Sequence, residues 1–359
     1  MKYQRVFIDT IAYELAPDVV TSSEIEERLG PLYTTLHIQP GQLELMTGIA
    51  ERRFWEPGFP VSRGATLAAE QALKSSNVKA TEIGVLVYAG VCRENFEPAT
   101  ACHVAGHLRE KGHHLSRSAQ IYDLSNACLG MLNGMIDIAN RIELGQIRAG
   151  MVVSCESARE IVDTMIDRLL RERDMQLFKS GFATMTGGSA AGAMILTDGS
   201  FGNPGSHRLA GGVSLSAPEW HNLCRWGLEP IPGPRLASES ALSYRQFMTT
   251  DSVEVLKQGV ELGRQTWKAF IEELGWSAGV DRTICHQVGS SHREAILRMI
   301  DLPEEHDFVA YEHLGNTGTV ALPLAAALAA EREFLEAGQR VGFLGIGSGL
   351  NCTMLGVEW

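Results

Sequence analysis

No CxxC pair occurs among the seven cysteines of this sequence, and their scattered spacing draws no disulfide framework. That usage fits a reducing compartment and points to the cytoplasm. No apolar run approaches the roughly 20 residues that a membrane-crossing helix needs. Residues 1–20 carry Asp9, Glu14, Pro17 and Asp18, so no secretory leader is expected. Positive charge is also scarce. Lys and Arg number 31 against 43 Asp and Glu, which leaves a net charge of −12. Nucleic acid and anionic membranes require a basic surface, so neither is expected as the main partner. A small local basic patch would still serve a phosphate-bearing thioester. His103 and His107 share a helical face but lack the glutamate of a zinc-protease helix, so no metal site is expected. Gly345, Gly347 and Gly349 follow a strand, yet the third glycine is misplaced for a dinucleotide fingerprint.

What the chain does have is a duplication. Its 359 residues suggest two domains or one doubled core, divided here as 1–200 and 201–359. Around Cys128 the sequence reads NACLGMLNGMIDIANRIELGQIRAGMVVSCES. Around Asn316 it reads GNTGTVALPLAAALAAEREFLEAGQRVGFLGIGSG. Each copy runs from a turn through a small-residue helix and a Gly-Gln pair into an apolar strand, Met151–Ser154 or Val341–Leu344. Upstream, Ile83–Ala89 and Arg282–His286 read as strands, each followed by a loop and a helix, Ala99–Leu108 or Ser291–Ile300. A helical period feeding a continuous apolar run marks a helix entering a buried central strand. Two similar α/β halves related by a pseudo-dyad are the expectation. Arg159–Lys179 reads as a charged helical insertion, solvated or lid-forming. Gly187–Leu196 reads as a turn entering a strand. Gly202–Gly212 and Pro230–Ser243 read as turn-rich connections.

Three residues occupy the places where such a scaffold would do chemistry. Cys128 sits where an apolar strand meets a helix start. Unpaired backbone N–H groups and the helix dipole there favour thiolate, lower its pKa and can bind an oxyanion. A small buried packing cysteine is the ordinary alternative. His286 ends an apolar strand, at the edge of the crevice where α/β folds place ligands; by itself it reads equally as a core histidine. Asn316 lies in HLGNTG, at the point of the second copy that Cys128 holds in the first; alone it reads as a turn residue. Together, at equivalent points of a doubled fold, the three point to acyl-transfer chemistry through a cysteine nucleophile.

The motifs NACLG, CHQVG, HLGNTG and GIGSGLN, in this order, resemble the thiolase superfamily, and within it the β-ketoacyl synthase III-like enzymes. The resemblance runs from about Val6 to Trp359. It implies an α/β thiolase-like fold of five αβαβα layers, a homodimer, and an acyl intermediate on Cys128. It implies that His286 and Asn316 hold a thioester enolate, and that the backbone N–H of Ser348 joins that of Cys128 in a first oxyanion hole. Substrates are then acyl thioesters on coenzyme A or a carrier protein, with no metal or redox cofactor.

Glu97 narrows the resemblance. It precedes Pro98 in the loop after the Ile83–Ala89 strand, where ordinary synthase III enzymes usually carry an apolar residue that reaches the partner's acyl tunnel. A carboxylate in an apolar tunnel has a raised pKa and suits abstraction of an α-proton from an unactivated thioester. This resembles the OleA-type enzymes of head-to-head condensation and the related α-pyrone-forming ketosynthases. Pro218–Arg225 and the tail GIGSGLNCTMLGVEW are similar to the same type. The implied product is a 2-alkyl-3-keto acid or thioester, which enzymes further along the pathway would consume. The rival activities are a decarboxylating synthase using malonyl thioester and a pyrone synthase; a rival of another class is a silent acyl-binding scaffold. One departure stands out. Gln42 and Met46 occupy the positions where synthase III enzymes commonly sandwich adenine between Trp and Arg. Arg52, Arg53 and Trp55 follow closely and are the expected substitutes.

Overall fold

Val85–Tyr88 has every residue buried, as a strand covered on both faces must. Alternate side chains enter different cores: Val85 and Val87 pack on one face, Leu86 and Tyr88 on the other. The same alternation separates Val152 from Met151 and Val153. A computed structural model describes residues 1–203, 205–231 and 243–359 of the chain.

These strands belong to a nine-stranded sheet. From one edge, Gln120–Asp123 pairs in parallel with Val85–Tyr88, which pairs in parallel with Ala149–Glu156. Ala190–Thr197 and then Phe7–Leu15 follow in antiparallel sense. From the other edge, Arg282–Cys285 is parallel to Arg340–Gly347, and Asn351–Glu358 and His207–Ser216 follow antiparallel. Order and sense therefore repeat. The second half replaces its outermost strand with a single parallel bridge between Thr283 and Asp307. Within the sheet the halves join where Phe7 and Ile8 pair with Arg208 and His207.

Helices complete five layers. Gly130–Glu143 and Ala321–Glu331 share one core with the inner faces of both halves. Val61–Ser75 and Thr100–Glu110 cover the outer face of the first half. Ser252–Leu274 and Ser290–Ile300 cover that of the second. Gly130 shows how closely the middle layer fits: a side-chain carbon there would stand 2.1 Å from the carbonyl oxygen of Ala89. Only glycine lets this helix start seat on the strand end.

Two expectations change. Within the segment read as a turn-rich connection, His207–Gly212 is strand, the start of His207–Ser216. The charged insertion is two helices, Arg159–Glu172 and Met175–Gly181. It is not merely solvated, because Ile161, Val162, Met165, Ile166 and Leu169 are buried in a core with Leu32, Tyr33 and Phe178. Of the predicted connection Pro230–Ser243, Pro230 and Ile231 end the strand Cys224–Ile231, Ser243 begins the strand Ser243–Thr250, and 232–242 lie outside the described residues.

Candidate active site

Strand order decides where the chemistry-bearing residues meet. Cys128 follows Gln120–Asp123, Glu97 follows Val85–Tyr88, His286 follows Arg282–Cys285 and Ser348 follows Arg340–Gly347. All four lie beyond the carboxyl ends of parallel strands, where α/β sheets open a crevice.

Cys128 sits in a strained turn. Ala127 has φ of 44°, left-handed for a residue with a side chain, and Asn126 forms a bridge with Cys128. Asn126 is held on both sides, donating to Asn133 Oδ1 at 2.6 Å and accepting from Asn351 Nδ2 at 3.0 Å. The loop preceding Asn351 approaches the cysteine directly. A carbon added to Gly347 would lie 3.5 Å from the backbone nitrogens of Cys128 and Leu129. The backbone of Gly347, next to Ser348, therefore stands beside that of Cys128.

His286 comes to the same end of the sheet through the neighbouring strand, its N–H donating to Leu344 at 2.9 Å. Asn316 is fixed by backbone bonds to Thr186 and Gly188, each 2.9 Å. Its Oδ1 accepts the N–H of Gly318 at 3.0 Å. Gly188 is needed for this contact, since a carbon on it would stand 2.0 Å from the Leu314 carbonyl. Thr319, in the same turn, accepts the N–H of Met131 at 2.7 Å. The turn bearing Asn316 thereby caps the helix that follows Cys128.

The electrostatics correct one expectation. Burial, with the charges of Cys224 and Glu156 nearby, pushes the Cys128 thiol up to about 12. The helix itself begins at Gly130, beyond the cysteine. The resting group is thus a thiol, and a lowered pKa is not found in the free chain. His286 is pulled down to about 4 by burial, with a smaller contribution from His292. A neutral imidazole results, able to accept a proton or to donate one hydrogen bond.

Glu156 was not singled out in the sequence. Its carboxylate is buried and accepts the N–H groups of Val91 at 2.9 Å and Cys92 at 3.1 Å. Burial raises its pKa, while bonds from Val91, Cys92 and Thr319 pull it back. It also packs against Gly318, so it joins the loop leading to Glu97 to the Asn316 turn. Its signal in the sequence is a lone acid ending a run that is apolar but for Ser154.

Glu97 and its neighbour Phe96 are exposed, Phe96 at 99%. They line an open cavity of about 1050 Å³ with Phe59, Cys92, Trp226 and Leu228. Cys128 is not among the residues that line this cavity.

Of the residues expected to hold coenzyme A, Arg52 and Trp55 turn inward, a correction. Arg52 is 0% exposed, donates to Ser22 at 2.9 Å, and burial lowers it to about 10. Trp55 is buried, gives its indole N–H to the Glu156 carbonyl and stacks on Phe59. Neither offers a free face to an adenine ring. Arg53 is half-buried and donates to Ala16. A different groove, of about 590 Å³, is lined by Gln42 and Met46 together with Lys179, Phe178 and Thr250. Thr250 bonds Cys224 at 3.5 Å, and Cys224 in turn lies close enough to perturb Cys128.

Comparison with known proteins bears on the family and the fold. Residues 272–359 match the model for the 3-oxoacyl-[acyl-carrier-protein] synthase III C-terminal region. The whole chain is 53% identical to an acyl-CoA:acyl-CoA alkyltransferase of Shewanella oneidensis, covering 100% of both proteins. It is 33% identical to the protein of the same name in Xanthomonas campestris pv. campestris, again over 100% of each. Among solved structures it resembles cerulenin-bound Xanthomonas OleA, with a TM-score of 0.90, 33% identity and coverage of 100% and 98%. A Cys-to-Ser variant of Xanthomonas campestris OleA with bound lauric acid and lauroyl-CoA gives 0.89 at 32% identity, covering 99% and 100%.

Proposed function

From the chain's membership in the thiolase-fold, synthase III-like family of acyl-CoA:acyl-CoA alkyltransferases, we propose that it condenses two fatty acyl-CoA molecules head to head. The observation that carries this is that the Asn316 turn caps the helix after Cys128, while Gly347, on the strand that pairs with that of His286, packs against the Cys128 backbone.

In the first step the Cys128 thiol attacks an acyl-CoA carbonyl, and its proton passes to the departing coenzyme A thiolate. The N–H groups of Cys128 and Ser348 receive the oxyanion, and coenzyme A leaves as its thiol. Losing one such donor costs about 2.7–4 kcal/mol of transition-state stabilisation. In the second step Glu97 removes an α-proton from another acyl-CoA. The enolate oxygen takes hydrogen bonds from His286 and the Asn316 amide. The carbanion attacks the acyl-Cys128 carbonyl and expels the Cys128 thiolate, which recovers a proton. The product is a 2-alkyl-3-ketoacyl-CoA, and its hydrolysis gives the 2-alkyl-3-keto acid. Neither step needs a metal or a redox cofactor.

The exposure of Phe96 and Glu97 supports a homodimer in which each chain lends Glu97 to its partner's site. The groove containing Gln42, Met46 and Lys179 is the place for coenzyme A. The repeated strand order supports a division into halves at 1–200 and 201–359. Seven free cysteines support a cytoplasmic location, and no described helix is long and apolar enough to cross a membrane. The test is product mass spectrometry with two acyl-CoAs of different length and no malonyl donor. Mixed and self-condensed 3-keto products are expected; product only after malonyl thioester is added, with carbon dioxide released, refutes the reading.

A further inference from the structure

The residue after His286 has a saturated amide. Gln287 is 3% exposed, yet all its hydrogen-bonding capacity is used inside the protein. Its Nε2 donates to the carbonyls of Cys285 at 2.8 Å and Phe308 at 3.2 Å. Its Oε1 accepts the N–H groups of Ala310 at 2.8 Å and Tyr311 at 3.1 Å. Because the partners are two carbonyls and two N–H groups, only one orientation of the amide satisfies them.

The four bonds span a gap that the sheet leaves open. In the first half a fifth strand lies beside Val85–Tyr88. In the second half the matching chain makes one bridge, Thr283 with Asp307. Side chains replace the missing ladder. Asp307 accepts from Thr283 Oγ1 at 3.0 Å, Cys285 N at 3.2 Å and Arg293 Nε at 2.9 Å. Gln287 continues the join toward Tyr311. From there the helix Tyr311–Leu314 leads through Gly315 to Asn316. The strand that ends at His286 and the segment that delivers Asn316 are thus clamped together by the side chain next to the imidazole.

We propose that Gln287 is a positioning residue for the condensation step, setting the spacing between the His286 imidazole and the Asn316 amide. The proposal rests on the assignment of that pair to the enolate. Acylation of Cys128 uses a different set of donors, the N–H groups of Cys128 and Ser348. Loosening the clamp therefore slows the second step and spares the first. A misplacement of about 1 Å is enough to cost on the order of 10²-fold in rate.

Gln287→Met keeps the length and removes all four bonds. Gln287→Glu keeps acceptors for Ala310 and Tyr311 while removing the donors to Cys285 and Phe308. Each is compared with wild type and with His286→Ala for acyl-Cys128 by intact mass and for condensed product during turnover with one acyl-CoA. The expected result is product formation about 100-fold slower, with acyl-Cys128 accumulating to near full occupancy. Wild-type condensation by both variants overturns the proposal. So does a parallel loss of acylation and condensation without accumulation, the mark of a purely structural role. If the Met variant does not fold, the Glu variant decides. If His286→Ala condenses at the wild-type rate, the enolate assignment itself is wrong, whatever the Gln287 variants do.

Discussion

Thr319 Oγ1 accepts the backbone N–H of Met131 at 2.7 Å, both groups buried. The bond crosses the pseudo-dyad: a residue of the second half caps the helix that follows the nucleophile of the first. Helix starts leave N–H groups without intrahelical partners, and burial excludes water as a substitute. Thr319→Val preserves shape and removes the acceptor. The orphaned N–H should cost about 1–3 kcal/mol, read as a lower urea midpoint, while Thr319→Ser should stay close to wild type. Equal stability of the Val and Ser variants would show that the cap is not needed.

Glu97 offers a test of shared sites. Glu97→Ala should still form acyl-Cys128 but lose condensation by about 10²–10⁴-fold, the usual weight of a general base. Cys128→Ala should form neither acyl-enzyme nor product. Co-expressed and purified as a mixed dimer, the two defects should complement. The intact Cys128 of one chain then meets the intact Glu97 of the other. A mixed dimer with no activity would place the base in the same chain as the thiol.

Much of this site is legible in the sequence because its parts are local. NACLG, the histidine at a strand end and the Asn turn each sit at a boundary that the hydrophobic pattern marks. The paired Gly-Gln boundaries likewise locate the inner helices and strands. Phe7–Leu15 escaped because Asp9, Thr10, Tyr13 and Glu14 interrupt its apolar run. Glu156 and Gln287 escaped for another reason. Their partners, Cys92 and Tyr311, are distant in the chain and near only in the fold. Arg52 and Trp55 misled because charge and aromaticity suggest a binding face, whereas packing turned both inward. The thiol misled too: a nearby helix start suggested thiolate, and burial outweighs it.

Acid should weaken the fold through its buried imidazoles. His286 and His207 both fall to about 4 because burial disfavours their charged forms, against about 6.5 in an unfolded chain. Between those values the unfolded chain binds more protons, so stability is fully present above pH 6.5 and declines as pH falls toward 4. The shift at His286 corresponds to at most about 3 kcal/mol. His286→Asn should therefore flatten the fall in unfolding free energy between pH 6.5 and 4. An identical slope in the variant would show that His286 is not neutral and desolvated.

Alkylation should separate nucleophilicity from reactivity in the free enzyme. Cys128 carries a thiol pushed up to about 12 and is half-buried, so little thiolate is present at neutral pH. Cys102 is exposed on its helix. Iodoacetamide followed by peptide mapping at pH 7.5 should label Cys102 well before Cys128, because thiolate is the attacking form. An acyl thioester differs from iodoacetamide in bringing a carbonyl to the Cys128 and Ser348 N–H groups. Those donors act on charge that develops during attack, so they speed acylation without ionising the resting thiol. Acyl-CoA should therefore acylate Cys128 in preference to Cys102, reversing the order seen with iodoacetamide. Labelling of Cys128 first by iodoacetamide would mean that the thiolate is preformed, and that the site is activated before substrate arrives.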